Sequence, residues 1–194
     1  MSKFNTIFDA VSEGTLEDVK YFVEMKGENV NTKNHMDKTL IEWAFVIGKE
    51  NPEVANIIKY LLSKGANIES HWIFDAISMK NESNSIEIAN LFIQNGVSVN
   101  HRDSGMFPLL LAAGGNNVEV AKFLISKGAD INMVSSTTGQ TPLQLAVTKG
   151  NTEMINFLTE QKRKLTPMKI VKIVLIVAGI LIFLRACGGC LGLL

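Results

Sequence analysis

Hydrophobic positions along this chain come in short paired runs, each pair punctuated by the same polar and glycine signals. In the stretch Pro108–Asn132, Pro108 suits the first turn of a helix, where its missing N–H costs nothing. Leu109, Leu110, Ala112 and Ala113 supply an apolar face, and Gly114 to Asn117 break it. Glu119 then places negative charge at the positive end of a second helix. In that helix Val120, Phe123 and Leu124 recur at the spacing of one buried face. Lys127 falls in its last turn, and Gly128 can take the left-handed conformation that closes it. A helical hairpin this small cannot bury its face alone, so it needs neighbours of the same kind.

The pattern predicts four more hairpins. The first, about residues 5–31, has Ile7, Phe8, Ala10 and Val11 on one helix and Val19, Phe22 and Val23 on the next, with Gly14 between and Gly27 after. Polar Lys3, Asn5, Asp9 and Ser12 fit the role of an outer cap. The second, 35–69, opens with Thr39-x-x-Glu42, a capping box in which each side chain satisfies a free backbone N–H of the other residue. Leu40, Ile41, Ala44 and Phe45, then Ile57, Ile58, Leu61 and Leu62, are its buried sets, joined by a lengthened turn at Gly48–Pro52. The third, 70–100, is irregular: only two residues lie between Glu69 and Trp72, against seven between Asn100 and Pro108. The connecting finger is therefore expected to be missing, and Lys80–Ser85 is expected to form an enlarged polar turn. The fourth, 101–132, contains the stretch above, and the fifth, 136–160, opens on a second capping box, Thr141 with Gln144.

The anchors keep a fixed spacing. Gly27, Gly65, Gly96 and Gly128 each precede Asn31, Glu69, Asn100 and Asn132 by four residues, and Pro108 and Pro142 are 34 apart. A period near 33 built of paired helices is the mark of a solenoid. The stretches PLLLAAGGNNVEVAKFLISKGADIN and TPLQLAVTKGNTEMINFL resemble ankyrin repeats, and the resemblance extends over about residues 5–160. It departs from the family pattern in the run Thr-Pro-Leu-His, whose histidine is replaced by Asp9, Glu42, Leu110 or Gln144 or slipped out of register, and Phe107 replaces the threonine of the fourth unit. Stability is then expected to lean on apolar stacking, with the third junction weakest. The resemblance implies an all-α ankyrin-repeat solenoid of about five helical hairpins with short β-turn fingers.

Composition changes the picture at the end of the chain. All 19 acidic residues lie at or before Glu160, so residues 1–161 carry a net charge of −6, and the remaining residues carry +6. An acidic body argues against a nucleic-acid partner, which calls for a basic face. Residues 162–167 are expected to be a basic linker. Met168–Leu184 is a 17-residue run of largely apolar residues, at the lower limit of the ~17–25 that span a bilayer. Lys169 and Lys172 can reach back to the interface. The expectation is one transmembrane helix over 168–186. Basic residues before it would place the repeats on the cytoplasmic side and the C-terminus outside. The competing reading is a soluble module whose apolar tail caps the stack or mediates oligomerisation. The N-terminus lacks the apolar core of a signal peptide.

Candidate chemistry is sparse. His35, His71 and His101 sit at different offsets in their units, so a shared metal site is not expected. Cys187 and Cys190, in the tail 187–194, have redox-motif spacing without a supporting fold, and a disulfide or lipidation there fits better. No set of residues for nucleophilic or acid–base catalysis stands out, and neither an enzyme nor a cofactor is expected. What remains is surface. The resemblance implies that the fingers and first helices line a concave face for an unknown protein partner. The residues implied to point along it are Asp9, Trp43, Asp75, Leu111 and Leu145, with Met36, Lys38, Arg102, Asp103, Met106 and Phe107 on the fingers. Trp43 could anchor a partner or pack against Gly48–Pro52. Binding is expected to tolerate damage around Lys80–Ser85 better than around Arg102–Leu111.

Overall fold

The computed structural model describes residues 3–46 and 50–165. Nine helices are bounded among them: α1 (Ile7–Glu13), α2 (Leu16–Lys20), α3 (Leu40–Val46), α4 (Val54–Ser63), α5 (Trp72–Ile77), α6 (Glu82–Gln94), α7 (Pro108–Gly114), α8 (Val118–Ser126) and α9 (Pro142–Lys149). A further helical stretch covers 152–165. The only strand pairing among the described residues is two isolated bridges, Lys33 with Thr39 and Asp103 with Met106, which make the fingers ahead of α3 and α7.

The order is that of five stacked hairpins. The first helices pack in series, α1 on α3, α3 on α5, α5 on α7 and α7 on α9, while α2, α4, α6 and α8 form a second row behind them. One continuous core runs between the rows, with Phe22, Ile57, Trp72, Phe92, Phe107 and Leu124 fully or almost fully buried.

Local chemistry sets the helix ends. Thr39 and Glu42 close the expected capping box, with Thr39 N donating to Glu42 Oε2 at 2.9 Å, and Thr141 with Gln144 repeats it at 2.9 Å. Two more boxes, Thr6 with Asp9 and Thr15 with Asp18, start α1 and α2. Asp9, implied to point along the groove, is thus tied to Thr6 N and Oγ1. α4, α6 and α8 end alike: Gly65, Gly96 and Gly128 adopt φ of 86°, 95° and 92°. In α8 the Ala129 N–H returns to Leu124 O at 2.9 Å and the Gly128 N–H to Ile125 O at 3.0 Å, the paired bonds of a Schellman cap. The first unit has one extra residue in this turn, and Tyr21–Met25 absorbs it as a π-helical turn with Lys26 N bonded to Tyr21 O.

Two expectations are corrected. Lys80–Ser85 is not an enlarged polar turn. Asn81 caps α6, its side chain accepting from Asn84 N at 3.0 Å, so Glu82–Ser85 forms an added first turn of a 13-residue helix, and Ser85 is fully buried. The polar sequence hid a helix because asparagine and serine also favour the cap itself. Helix also runs through 162–165, the first residues of the expected linker, with Arg163 bonded to Glu160 at 3.0 Å. The missing finger ahead of α5 is as expected: after Lys64 the chain reaches α5 through a short turn in which Trp72 N donates to Glu69 O at 3.0 Å. The expected transmembrane helix at 168–186, and Cys187 and Cys190, lie outside the described residues. Among those described, no helix is long and apolar enough to cross a membrane.

Candidate interaction surface

The expected surface residues lie on the first helices and in or beside the fingers ahead of them, though not all of them as free groups. Trp43 is half-buried on α3 and meets Phe8 of α1 edge-on, ring centres 6.2 Å apart and planes at 87°. This joins two neighbouring first helices through aromatic contact. Leu111 and Leu145 are partly buried against the core. Leu145 approaches Gly114 so closely that a Cβ there would lie 3.2 Å from its Cδ2, so Leu145 serves the contact between α7 and α9.

The fourth finger divides its roles. Asp103 and Met106 form the bridge, and Ser104 Oγ donates to Asp103 Oδ1 at 2.9 Å. Met106 packs on the core and Phe107 is buried within it. Arg102 reaches into the next unit, donating from Nη1 to Val134 O at 3.1 Å, and its guanidinium lies 5.8 Å from the Phe107 ring centre. It is a clasp between units as well as a surface charge. No local sequence signal could have revealed a partner 32 residues away. Met36, by contrast, stands 60% exposed on the first finger.

Where the third unit lacks a finger, the row opens into a cavity of about 170 Å³, with Lys38, Glu42 and Phe45 on one wall and His71, Trp72 and Asp75 on the other. Glu42 is the structured carboxylate. Lys38 Nζ lies 3.1 Å from it, Thr39 N and Oγ1 donate to it, and its side chain is 19% exposed. Burial pushes this carboxyl up, but the Thr39 backbone N–H, the Lys38 ammonium and the Thr39 hydroxyl outweigh burial and hold it below the usual range. Asp75 is the opposite case. Its side chain makes no hydrogen bond or ion pair among the described residues. Loss of water against the cavity walls raises its carboxyl, with the Glu42 charge adding to the rise and His71 and Lys38 opposing it. His71 Nδ1 faces Glu69 at 3.4 Å. Trp72 is 2% exposed, and its indole N–H has no acceptor among the described residues.

Sequence reasoning placed Asp75 on this surface but missed the cavity, because it depends on how far apart α3 and α5 stand. It also missed the side-chain amides that join units. Asn31 Nδ2 donates to Gly65 O at 3.1 Å while its Oδ1 accepts from Asn67 N at 2.8 Å. Asn100 does the same with Gly128 O and Asp130 N at 3.2 and 2.9 Å. The recurrence of asparagine four residues after glycine was the available signal. Asn51 donates to Gly14 O at 2.8 Å, and Asn151 to Ala113 O at 2.8 Å. Among the described residues no three His, Cys, Asp or Glu side chains are grouped to hold a metal ion.

Comparison with known proteins finds likeness to ankyrin repeats over part of the chain. Residues 73–168 match the family model for ankyrin repeats, in three copies. The chain is 33% identical over 101 residues to the ankyrin repeat and KH domain-containing protein mask-1 of Caenorhabditis elegans, covering 52% of this chain and 4% of that protein. It is 34% identical over 93 residues to an ankyrin repeat protein of Rickettsia bellii, covering 44% of this chain and 55% of the other. It is 38% identical over 55 residues to the NF-kappa-B inhibitor cactus of Drosophila yakuba, 28% of this chain and 11% of that one. The chain thus spans little more than half of these relatives' length at most.

Proposed function

We infer that this chain, with its ankyrin repeats, works as a protein–protein interaction module that holds or blocks a partner on the first-helix row and the fingers. The observation that carries the reading is the row itself: five short helices packed in series, with Trp43, Asp75 and Leu111 on the second, third and fourth of them and the exposed Met36 on the finger ahead of α3. Repeat stacks bind through such extended surfaces, and the identity of the partner lies in the residues that vary from unit to unit. The acidic body, at −6 over residues 1–161, favours a partner with a positive face by steering its approach.

The test is proximity labelling with the full chain, wild type against Trp43→Ala and Asp75→Lys, each checked for an unchanged melting temperature. Asp75 is solvent-exposed and unpaired, so its replacement leaves the core untouched. Loss of the same labelled proteins in both variants is expected. Full retention in both would move the binding face off this row.

A second reading concerns the tail, and its support is the apolar run Met168–Leu184. On this reading the run tethers the module to a membrane with the repeats on the cytoplasmic side. The module reading does not need it, since the described residues account for a binding surface without a tether, and a tail that caps the stack or joins two copies fits the same run. Alkaline carbonate extraction separates these: a tethered chain stays in the pellet, and release into the supernatant removes the tether.

A further inference from the structure

The cavity between α3 and α5 is small, polar on its rim and aromatic in its walls. At about 170 Å³ it falls short of the roughly 300–1,000 Å³ of small-molecule sites, and it suits a single side chain. We propose that it receives one arginine side chain of the bound partner, with the guanidinium placed against the Asp75 carboxylate and the Lys38–Glu42 pair alongside. The proposal rests on the first-helix row being the partner-binding face and says which group of the partner is anchored there.

Charge decides the sign of the guest. Lys38 is already engaged by Glu42 at 3.1 Å, and His71 Nδ1 faces Glu69 at 3.4 Å, so both have a partner before any guest arrives. Asp75 is the one ionisable wall group with no hydrogen bond or ion pair of its side chain among the described residues. An anion entering the cavity would meet it head-on. A cation supplies what it lacks. The raised Asp75 carboxyl fits the same picture, since a carboxylate partly shielded from water and without a counter-charge gains from receiving a counter-ion.

Shape favours arginine among cations. Phe45, His71 and Trp72 are among the lining residues, and a planar guanidinium can lie along an aromatic ring while its fork meets a carboxylate, which a compact ammonium cannot do. The missing finger is what makes room: in the second and fourth units a bridged finger stands ahead of the first helix, and ahead of α5 there is only the turn at Glu69–Trp72.

The test is selection of a random peptide library on the full chain, followed by affinity measurement of the selected peptides on wild type, Asp75→Asn, Trp43→Ala and Leu111→Ala. Asp75→Asn is isosteric at an exposed site and is confirmed as folded by its melting curve. The proposal expects wild-type binders to share an arginine at one position. Replacing that arginine by its neutral isostere citrulline should weaken binding to wild type by about tenfold or more, and should cost much less against Asp75→Asn. Peptides that depend on Trp43 or Leu111 but share no arginine overturn the pocket and leave the row standing. So does an arginine needed equally by wild type and Asp75→Asn. Peptides that carry a fixed acidic residue overturn the sign of the guest. Peptides indifferent to Asp75→Asn, Trp43→Ala and Leu111→Ala alike, or no binders at all, overturn the row itself.

Discussion

The junction between the first and second units and the junction between the second and third are joined very differently among the described residues. At the first, Asn51 donates to Gly14 O and Val11 O, Leu16 N donates to Glu53 Oε2 at 3.1 Å, and Asn31 both donates and accepts across the gap. Tyr60 and Lys64 add contacts to Glu24 at 3.0 and 3.1 Å. At the second, Phe45 meets Phe92 edge-on at 6.0 Å, and among the described residues the side-chain polar contact is an exposed Lys80–Glu50 pair at 3.2 Å. Ser85, Asn90 and Trp72 of the third unit each keep a buried polar atom without a partner among the described residues, as does Asn34 in the finger ahead of α3. In a stack where each unit touches only its neighbours, stability is close to a sum of unit and interface terms. Apolar packing makes these junctions; the repeated side-chain amides set which of them holds longest. An asparagine can donate and accept at once, and Glu69, standing where Asn31 and Asn100 stand, can only accept.

The strongest way to break the comparison is to weaken the third unit's core. Trp72→Ala should cost about 3–5 kcal/mol and split unfolding into two steps, one for the first two units and one for the last two. The chain has two tryptophans, so in this variant Trp43 alone reports on the second unit. Its fluorescence transition should separate from the loss of helical circular dichroism in a urea titration. Coincident curves would mean that the second junction couples as tightly as the first. Next in size is a matched pair. Asn51→Ala removes the bonds to Gly14 O and Val11 O and the one from Glu53 N at 2.9 Å, and should cost about 1–3 kcal/mol. Ser85→Ala removes a buried hydroxyl with no partner among the described residues and should fall within about 0.5 kcal/mol of wild type, on either side. A cost for Ser85→Ala as large as that for Asn51→Ala would show that the serine is bonded after all.

A repair should also be possible. Glu69→Asn puts the missing amide at the second junction, where it can donate to Gly96 O and accept from Ser98 N as Asn31 does with Gly65 and Asn67. A gain of about 0.5–1.5 kcal/mol is expected, with slower hydrogen exchange at the Ser98 amide as the local sign. The substitution also removes the His71–Glu69 pair, which is exposed and of the kind that contributes little.

What could be read in advance follows the range of the interaction. Gly128 as a left-handed cap, Pro108 and Pro142 in first helical turns, the Thr39–Glu42 and Thr141–Gln144 boxes and the absent finger before Trp72 are all settled within a few residues. The boxes at Thr6–Asp9 and Thr15–Asp18 were equally local and were missed because aspartate took the place of glutamate. Asn84 and Ser85 misled in the other direction, reading as turn where Asn81 had already started a helix. The Arg102–Val134 clasp, the Asn51 bonds and the cavity beside Asp75 depend on how neighbouring units approach. The period shows which units are adjacent, and only the packed distances show which atoms meet.

The smallest effect lies in the cavity, where two carboxylates respond to pH with opposite sign. Glu42 is held below the ordinary range in the folded chain, so its contribution is present above its unfolded pKa and is lost as pH falls through the folded value. Asp75 is raised, so the folded state binds its proton more readily than the unfolded chain does. Its contribution is present below the unfolded aspartate value and is lost as pH rises through the folded one. Glu42→Gln should therefore be less stable than wild type near neutral pH, with a deficit that narrows in acid. Asp75→Asn should equal or slightly exceed wild type near neutral pH, with the difference closing below the ordinary aspartate range. Carbon-detected NMR titration of the two carboxyls checks both directions, Glu42 titrating below the ordinary glutamate range and Asp75 above the ordinary aspartate range. A stability loss for Asp75→Asn at neutral pH would reveal a counter-charge already in place. The second junction would then be better joined than its hydrogen bonds show, and the cavity would have no vacancy for a cation.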